Sequence, residues 1–174
     1  MNDFTQLVFF IAPALLVAIS VYIVLQKMLR NDEAQRNYQL KKTSRQATVT
    51  MRLQACERLI LFLERINPAS LVVRTHRQNM NCQDFHVLLL SSVREEFEHN
   101  LSQQLYVSND TWETTKAAKE SVIMHINESA AKIHAEDSSL GFARLIVESY
   151  AADGNSNLIQ TAINSVKNEA KKIF

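Results

Sequence analysis

The sequence predicts an all-α protein in which one N-terminal transmembrane helix precedes a cytoplasmic bundle of about five or six helices. Three observations support this fold class. Only two glycines and two prolines occur in 174 residues, so hairpins and glycine-rich ligand loops have little scope. Residues 7–25 contain no charged side chain, and the later apolar residues recur mostly three or four positions apart, as on one face of a helix.

The apolar N-terminal stretch is long enough to cross a bilayer. Its 19 residues span about 28 Å as a helix, close to the thickness of the hydrocarbon core. The main alternative is a cleaved signal peptide, which carries positive charge before a shorter apolar stretch and small residues at its end. Here residues 1–6 contain no Lys or Arg, and the stretch ends in Ile-Val-Leu. We therefore expect residues 1–6 to be a short extracytoplasmic N-terminus and residues 7–25 to be a transmembrane helix.

Residues 26–48 are predicted to be a basic, polar stalk. Residues 27–52 carry seven basic side chains against Asp32 and Glu33, whereas no basic residue precedes the apolar stretch. By the positive-inside rule the protein belongs to the inner membrane with its N-terminus outside and its C-terminal domain in the cytoplasm. Six of these side chains form a basic belt with a charge that suits contact with anionic headgroups of the bilayer: Lys27, Arg30, Arg36, Lys41, Lys42 and Arg45. The favoured interpretation of the belt is a topology signal within a solvated linker. Nucleic-acid binding is not expected, because aromatic stacking partners are scarce there.

The remaining residues, 49–174, are predicted to form the helical cytoplasmic domain. A helix from Val49 ends at Asn67-Pro68, since the residue before a proline is pushed out of the α region, and Pro68 opens a shorter helix through about Thr75. Asn81 is the expected N-cap of a helix over 82–105, and Asp110 that of the next. Two further helices are expected, one capped by Asp137 or Ser138 and one starting at Asn155 or Ser156, with the following leucines, Leu140 and Leu158, facing inward.

Three stretches resemble a known family. They are MRLQACERLILFLERINPASLVVR (51–74), EEFEHNLSQQLYVS (95–108) and the Trp112 that follows. Together they are similar to a group of small single-span membrane proteins from Bacteroidota, known as a domain of unknown function. The resemblance covers most of the chain and implies no assigned activity, cofactor or catalytic residue. An aromatic residue is usual in that family where Cys56 stands here, which argues against a functional thiol at this position.

Candidate chemical motifs are few. Glu96 and His99 have the Glu-x-x-His spacing that ferritin-like di-iron bundles use twice, together with further glutamates, but the sequence contains no second pair. Cys82 and His86 are an isolated pair without the further ligands that zinc needs. Nucleophile elbows and phosphate-binding glycine loops are absent from the sequence. We therefore expect no catalysis, no cofactor, no metal and no small-molecule substrate, with a metal-binding protein using Glu96 and His99 kept as an alternative.

A polar and aromatic segment is the candidate partner surface, formed by Gln103, Gln104, Tyr106 and Trp112. The favoured interpretation of this segment is a turn between two helices that Tyr106 and Trp112 pack. The favoured functional hypothesis is a membrane-anchored helical interaction or scaffold module that holds a cytoplasmic partner, or a second copy of itself, at the inner membrane. The alternative is an accessory subunit of an envelope complex that packs through its span, using the small residues Ala12, Ala14, Ala18 and Ser20.

Overall fold

All secondary structure in the described part of the chain is helical, which confirms the all-α prediction. The computed structural model describes the backbone of residues 3–133, 138–152 and 156–173, and side chains except those of 3–14, 29, 31–34, 37, 156 and 157 within these ranges. The helices are α1 (Asp3–Ile66), α2 (Pro68–Thr75), α3 (Cys82–Glu98), a short 3-10 helix (Leu101–Leu105), α4 (Asn109–Ala130), α5 (Ser139–Ala152) and α6 (Ser156–Lys171).

The chain divides into two compact units, residues 1–48 and residues 49–174. In the first unit, every described side chain from Leu15 to Thr48 is exposed. In the part of the chain that the structure describes, no helix combines the length and the apolar character needed to cross a membrane. Side chains 7–14 of the predicted span lie outside the described residues.

Local capping explains where two helices of the second unit begin. Asn67 Oδ1 accepts a hydrogen bond from the Ala69 N–H at 3.1 Å, so Pro68 opens α2 as expected. Asn81 Oδ1 accepts one from the Asp84 N–H at 2.7 Å and starts α3, which confirms the predicted cap. Both caps satisfy N–H groups that have no partner inside the helix.

Two predicted boundaries are wrong. The helix expected over 82–105 ends at Glu98, because Asn100 leaves the α region at φ −109° and ψ 4° and its Nδ2 donates to the Glu96 carbonyl at 2.8 Å. The next helix starts at Asn109, and its N-cap is Ser108 rather than Asp110: Ser108 Oγ accepts from the Thr111 N–H at 3.4 Å. In both places a polar side chain forms a hydrogen bond with the adjacent backbone, and such a bond competes with the backbone hydrogen bonds of a regular helix.

Helix α4 lies at the centre of the second unit and contacts α3, α5 and α6. The apolar stripes predicted for the helices supply most of the core, including Leu59, Leu63, Phe85, Leu89, Val122, Ile126, Ile146, Ile163 and Val166. Leu140 and Leu158 were predicted to face inward and are exposed. Phe142, two positions further along α5, takes the inward place beside Phe85. Ser138 Oγ accepts from the Gly141 N–H at 3.1 Å near the start of α5, whereas Asp137 and Asn155 lie outside the described residues.

A candidate interaction surface and the ion pair beneath it

The residues between α3 and α4 form an exposed corner of the second unit, which we define as Leu101–Tyr106. Leu105 is 78% exposed, Leu101 is 41% exposed and Tyr106 is 36% exposed, so three large apolar side chains face solvent in six residues. Gln104 is exposed as well, whereas Gln103 is buried. Three exposed apolar side chains this close together in the sequence make the corner a candidate contact surface.

Arg52 of α1 holds this corner in place. Its Nε donates to the Tyr106 carbonyl at 3.2 Å, and its Nη2 donates to Glu169 Oε1 of α6 at 2.7 Å. The Arg52 side chain is 36% exposed and that of Glu169 only 4% exposed. One guanidinium therefore connects α1, the corner and α6. We call Arg52, Tyr106, Ser108 and Glu169 the junction.

The charge of Glu169 is stabilised inside this junction. Burial by itself raises the pKa of the Glu169 carboxyl, yet hydrogen bonds from Ser108 and Arg52 and the positive charges of Arg52 and Lys172 outweigh it. The pKa therefore lies below its usual value. Ser108 Oγ lies 3.1 Å from Thr111 Oγ1, so the junction continues into the first turn of α4.

Trp112 lies in the core rather than on a partner surface. It is buried and stacks on Phe97, with ring centroids 5.4 Å apart and an angle of 22° between the planes. Phe97 also contacts Phe62 at 5.8 Å, and Lys119 Nζ lies 4.3 Å from the Phe97 ring centroid. Of the four residues predicted as a partner surface, Gln104 and Tyr106 are therefore exposed together, while Gln103 and Trp112 pack inward.

Glu96 and His99, the pair considered for metal binding, have other partners. Glu96 Oε1 lies 2.7 Å from Arg65 Nη2 and 3.4 Å from Arg74 Nη1, which ties α3 to α1 and α2. His99 Nδ1 donates to the Glu95 carbonyl at 2.7 Å within its own turn. Among the described residues, no group of three or more His, Cys, Asp or Glu side chains is arranged to hold a metal ion.

Cys56 and Cys82 are both buried, and no disulfide joins them. Burial, with the negative charge of Glu169, raises the pKa of the Cys56 thiol. His86, the residue paired with Cys82 in the sequence, bonds through Nε2 to Asn127 Oδ1 at 2.9 Å. The structure thus uses His86 to connect α3 with α4.

A buried histidine links α4 to α5. His125 Nε2 donates to the Ile146 carbonyl at 3.0 Å, and the Ser149 hydroxyl lies 3.2 Å from the same nitrogen. Within the described part of the chain, His125 Nδ1 and the Tyr150 hydroxyl are buried without a hydrogen-bond partner. Burial raises the pKa of Tyr150 to about 12, so this hydroxyl stays neutral.

All six basic-belt side chains are exposed in the structure, and all belong to the first unit. Sequence reasoning found these residues but missed Arg52 and Glu169 as a pair. A signal for the pair was present. Glu169 follows Ile159, Ala162, Ile163 and Val166 at helical spacing, so a carboxylate occupies a position of the apolar stripe of α6. A charge at such a position requires a partner.

Comparison with known proteins gives a family without an assigned activity. The model described as "Family of unknown function (DUF7935)" matches residues 2–173. No curated protein and no solved structure matches the chain.

Proposed function

The chain belongs to this family of unknown function, and we propose that it is a membrane-anchored helical interaction module that holds a protein partner at the inner membrane. The corner carries the proposal: its leucines and Tyr106 are exposed on a turn that Arg52 fixes to two helices. A surface that is both apolar and held rigidly loses little conformational entropy when a partner covers it. Binding rather than catalysis is the role proposed for it.

The anchoring part of the proposal rests on sequence. Residues 7–25 contain no charge, and the stretch is followed by basic residues that favour the cytoplasmic side. Residues 1–6 are then extracytoplasmic, and the domain and its corner face the cytoplasm. Carbonate extraction of membranes from expressing cells tests the anchor. Recovery of the chain in the extracted, non-membrane fraction would refute it.

The corner is tested by substitution of its exposed apolar side chains. We expect the double variant Leu105→Ser and Tyr106→Ser to lose partners that co-purify with the full-length chain after gentle crosslinking in cells. The matched control is Val73→Ser, because Val73 is an equally exposed apolar residue that lies on α2. Retention of the same partners by the double variant, or the same loss in the control, would contradict the proposal.

A swap of the span separates this proposal from the accessory-subunit alternative. In the alternative, the span itself packs against other transmembrane helices, so an unrelated leucine-rich span in place of residues 7–25 abolishes complex formation. In the anchored-module proposal, the same swap preserves partner retention, because any span of sufficient length anchors the domain that carries the corner.

A further inference from the structure

Five of the six basic-belt residues share one face of α1. With 3.6 residues per turn, Lys27, Arg30, Lys41, Lys42 and Arg45 fall within about 120° of one another around the helix axis, whereas Arg36 falls on the opposite side. No acidic residue occurs between Glu33 and Glu57. The three distal cations, Lys41, Lys42 and Arg45, therefore have no acidic neighbour one turn away on their own helix, and all three are exposed. We call them the distal triad.

The distal triad is too far along the helix to reach lipid headgroups if the apolar stretch is an anchor. Residues 7–48 all belong to the single helix α1. At about 1.5 Å per residue, Arg30 lies only about 8 Å beyond Leu25 along the axis, whereas Lys41 lies about 24 Å and Arg45 about 30 Å beyond it. The potential of an anionic leaflet falls off within a Debye length, about 8 Å at physiological ionic strength. Lys27 and Arg30 are thus within reach of headgroups, and the distal triad is not.

We infer that the distal triad is a docking face for an acidic protein segment, separate from the lipid-facing pair Lys27 and Arg30. This inference rests on the proposed anchor, and it limits contact with headgroups to Lys27 and Arg30. The positions 41, 42 and 45 place three cations within about 6 Å along the axis, a spacing that a helix with carboxylates one turn apart complements. Arg45 in addition offers the planar fork that pairs with a carboxylate through two hydrogen bonds.

An acidic protein fits this face better than a nucleic acid does. Nucleic-acid affinity at physiological salt comes from neutralising many phosphates, and proteins that bind duplexes commonly make six to ten such contacts, about two to three times the number that the triad provides. Three charges are sufficient for a protein contact, in which the remaining affinity comes from apolar surface elsewhere. The corner is such a surface in the second unit.

The test uses the full-length chain in phosphatidylcholine nanodiscs and a fluorescein-labelled helical peptide with glutamates one turn apart, followed by fluorescence anisotropy. We expect the triple variant Lys41→Gln, Lys42→Gln, Arg45→Gln to weaken peptide binding about tenfold. This value follows from the loss of three charge pairs, each of which contributes about 0.5 kcal/mol to binding. The matched control Lys27→Gln, Arg30→Gln removes two cations from the same face and should leave peptide binding within about twofold.

Other outcomes identify what else occupies the face. Equal loss in the triple variant and the control would overturn the inference, because binding would then follow total charge. Displacement of the peptide by free phosphatidylglycerol vesicles, or tighter triad-dependent binding of a DNA duplex of equal charge, would also overturn it, in favour of lipid or nucleic acid. Failure of the proposed function is seen separately, since carbonate extraction tests the anchor without the peptide. Triad-dependent selectivity for the peptide supports the docking face.

Discussion

The buried ion pair of the junction predicts that replacing Arg52 lowers the stability of the fold more than replacing Glu169 does. Arg52→Met removes the guanidinium while keeping a side chain of similar length, and it leaves the Glu169 carboxylate buried with only Ser108 and the charge of Lys172 to stabilise it. Breaking a fully buried pair costs about 3–5 kcal/mol. Since Arg52 is 36% exposed, the site is partly hydrated, and we expect about 2–3 kcal/mol of lost stability.

Glu169→Gln should cost less, about 1 kcal/mol, although it breaks the same ion pair. The guanidinium that remains is half-buried and can turn toward water, and the glutamine amide oxygen still accepts a hydrogen bond. Adding Glu169→Gln to Arg52→Met should recover part of the loss, because the unpaired buried charge disappears. Arg58→Met is the matched control: Arg58 is an exposed arginine of α1, and we expect its replacement to change stability by no more than about 0.5 kcal/mol.

The pH dependence of these variants has a defined sign. In the wild type, the folded-state pKa of Glu169 is below its unfolded value. The pair therefore stabilises the fold above the usual glutamate pKa, and this contribution is lost as pH falls through the folded pKa. In Arg52→Met, burial is opposed only by Ser108 and Lys172, so acid protonates Glu169 and relieves the penalty. The stability difference between wild type and Arg52→Met should thus shrink between pH 7 and about pH 4.

Trp112, the single tryptophan, reports this unfolding because it is buried against Phe97. Urea titration of the full-length chain in a nonionic detergent, followed by tryptophan fluorescence, gives the free energy of unfolding for each variant. The reasoning is refuted if Glu169→Gln costs as much as Arg52→Met, or if the deficit of Arg52→Met is the same at both pH values.

Three further substitutions or modifications test other features by the same unfolding assay or by thiol chemistry. Ser108→Ala should lower the free energy of unfolding by about 1–2 kcal/mol, because Ser108 caps α4 and also bonds to Glu169. A change near zero would show that neither bond contributes to stability. Tyr150→Phe should be neutral or stabilise by up to about 1 kcal/mol, since its buried hydroxyl has no partner in the described part of the chain, and a clear loss would reveal a bond there. Cys56 should resist a thiol-specific disulfide reagent at pH 8 until urea unfolds the chain, because it is buried and its thiol pKa is raised; rapid reaction of the native protein would contradict this.

Local signals explain which parts of the fold could be predicted from the sequence. Asn67 and Asn81 bond to backbone N–H groups only two or three residues away, so their effect is visible in a short window of sequence. The apolar stripe of each helix is similarly local, and most of its members are buried as predicted. The wrong boundary at Glu98 arose because the apolar spacing continues through Leu101 and Leu105 although Asn100 has already ended the helix.

The corner and its ion pair required three-dimensional information. Arg52 and Glu169 are 117 positions apart, and the pattern of a single helix cannot show a distant carboxylate. Trp112 was considered both for a partner surface and for packing of the turn, and its ring packs on Phe97 from α3. In both cases, residues on other helices determine the surroundings of the side chain.

The two proposed contact surfaces depend on different forces, so salt separates them. The distal triad acts through exposed charges, and such interactions weaken as the Debye length shortens from about 10 Å at 0.1 M to about 3 Å at 1 M salt. The corner acts through the burial of leucine and tyrosine side chains, which salt does not screen and which sulfate strengthens. A partner that is held by both surfaces should therefore lose the contribution of the triad at high salt and keep that of the corner. At high salt, Lys41→Gln, Lys42→Gln, Arg45→Gln should then match the wild type in partner retention, while Leu105→Ser, Tyr106→Ser remains defective; equal salt sensitivity of both variants would show that a single surface carries the contact.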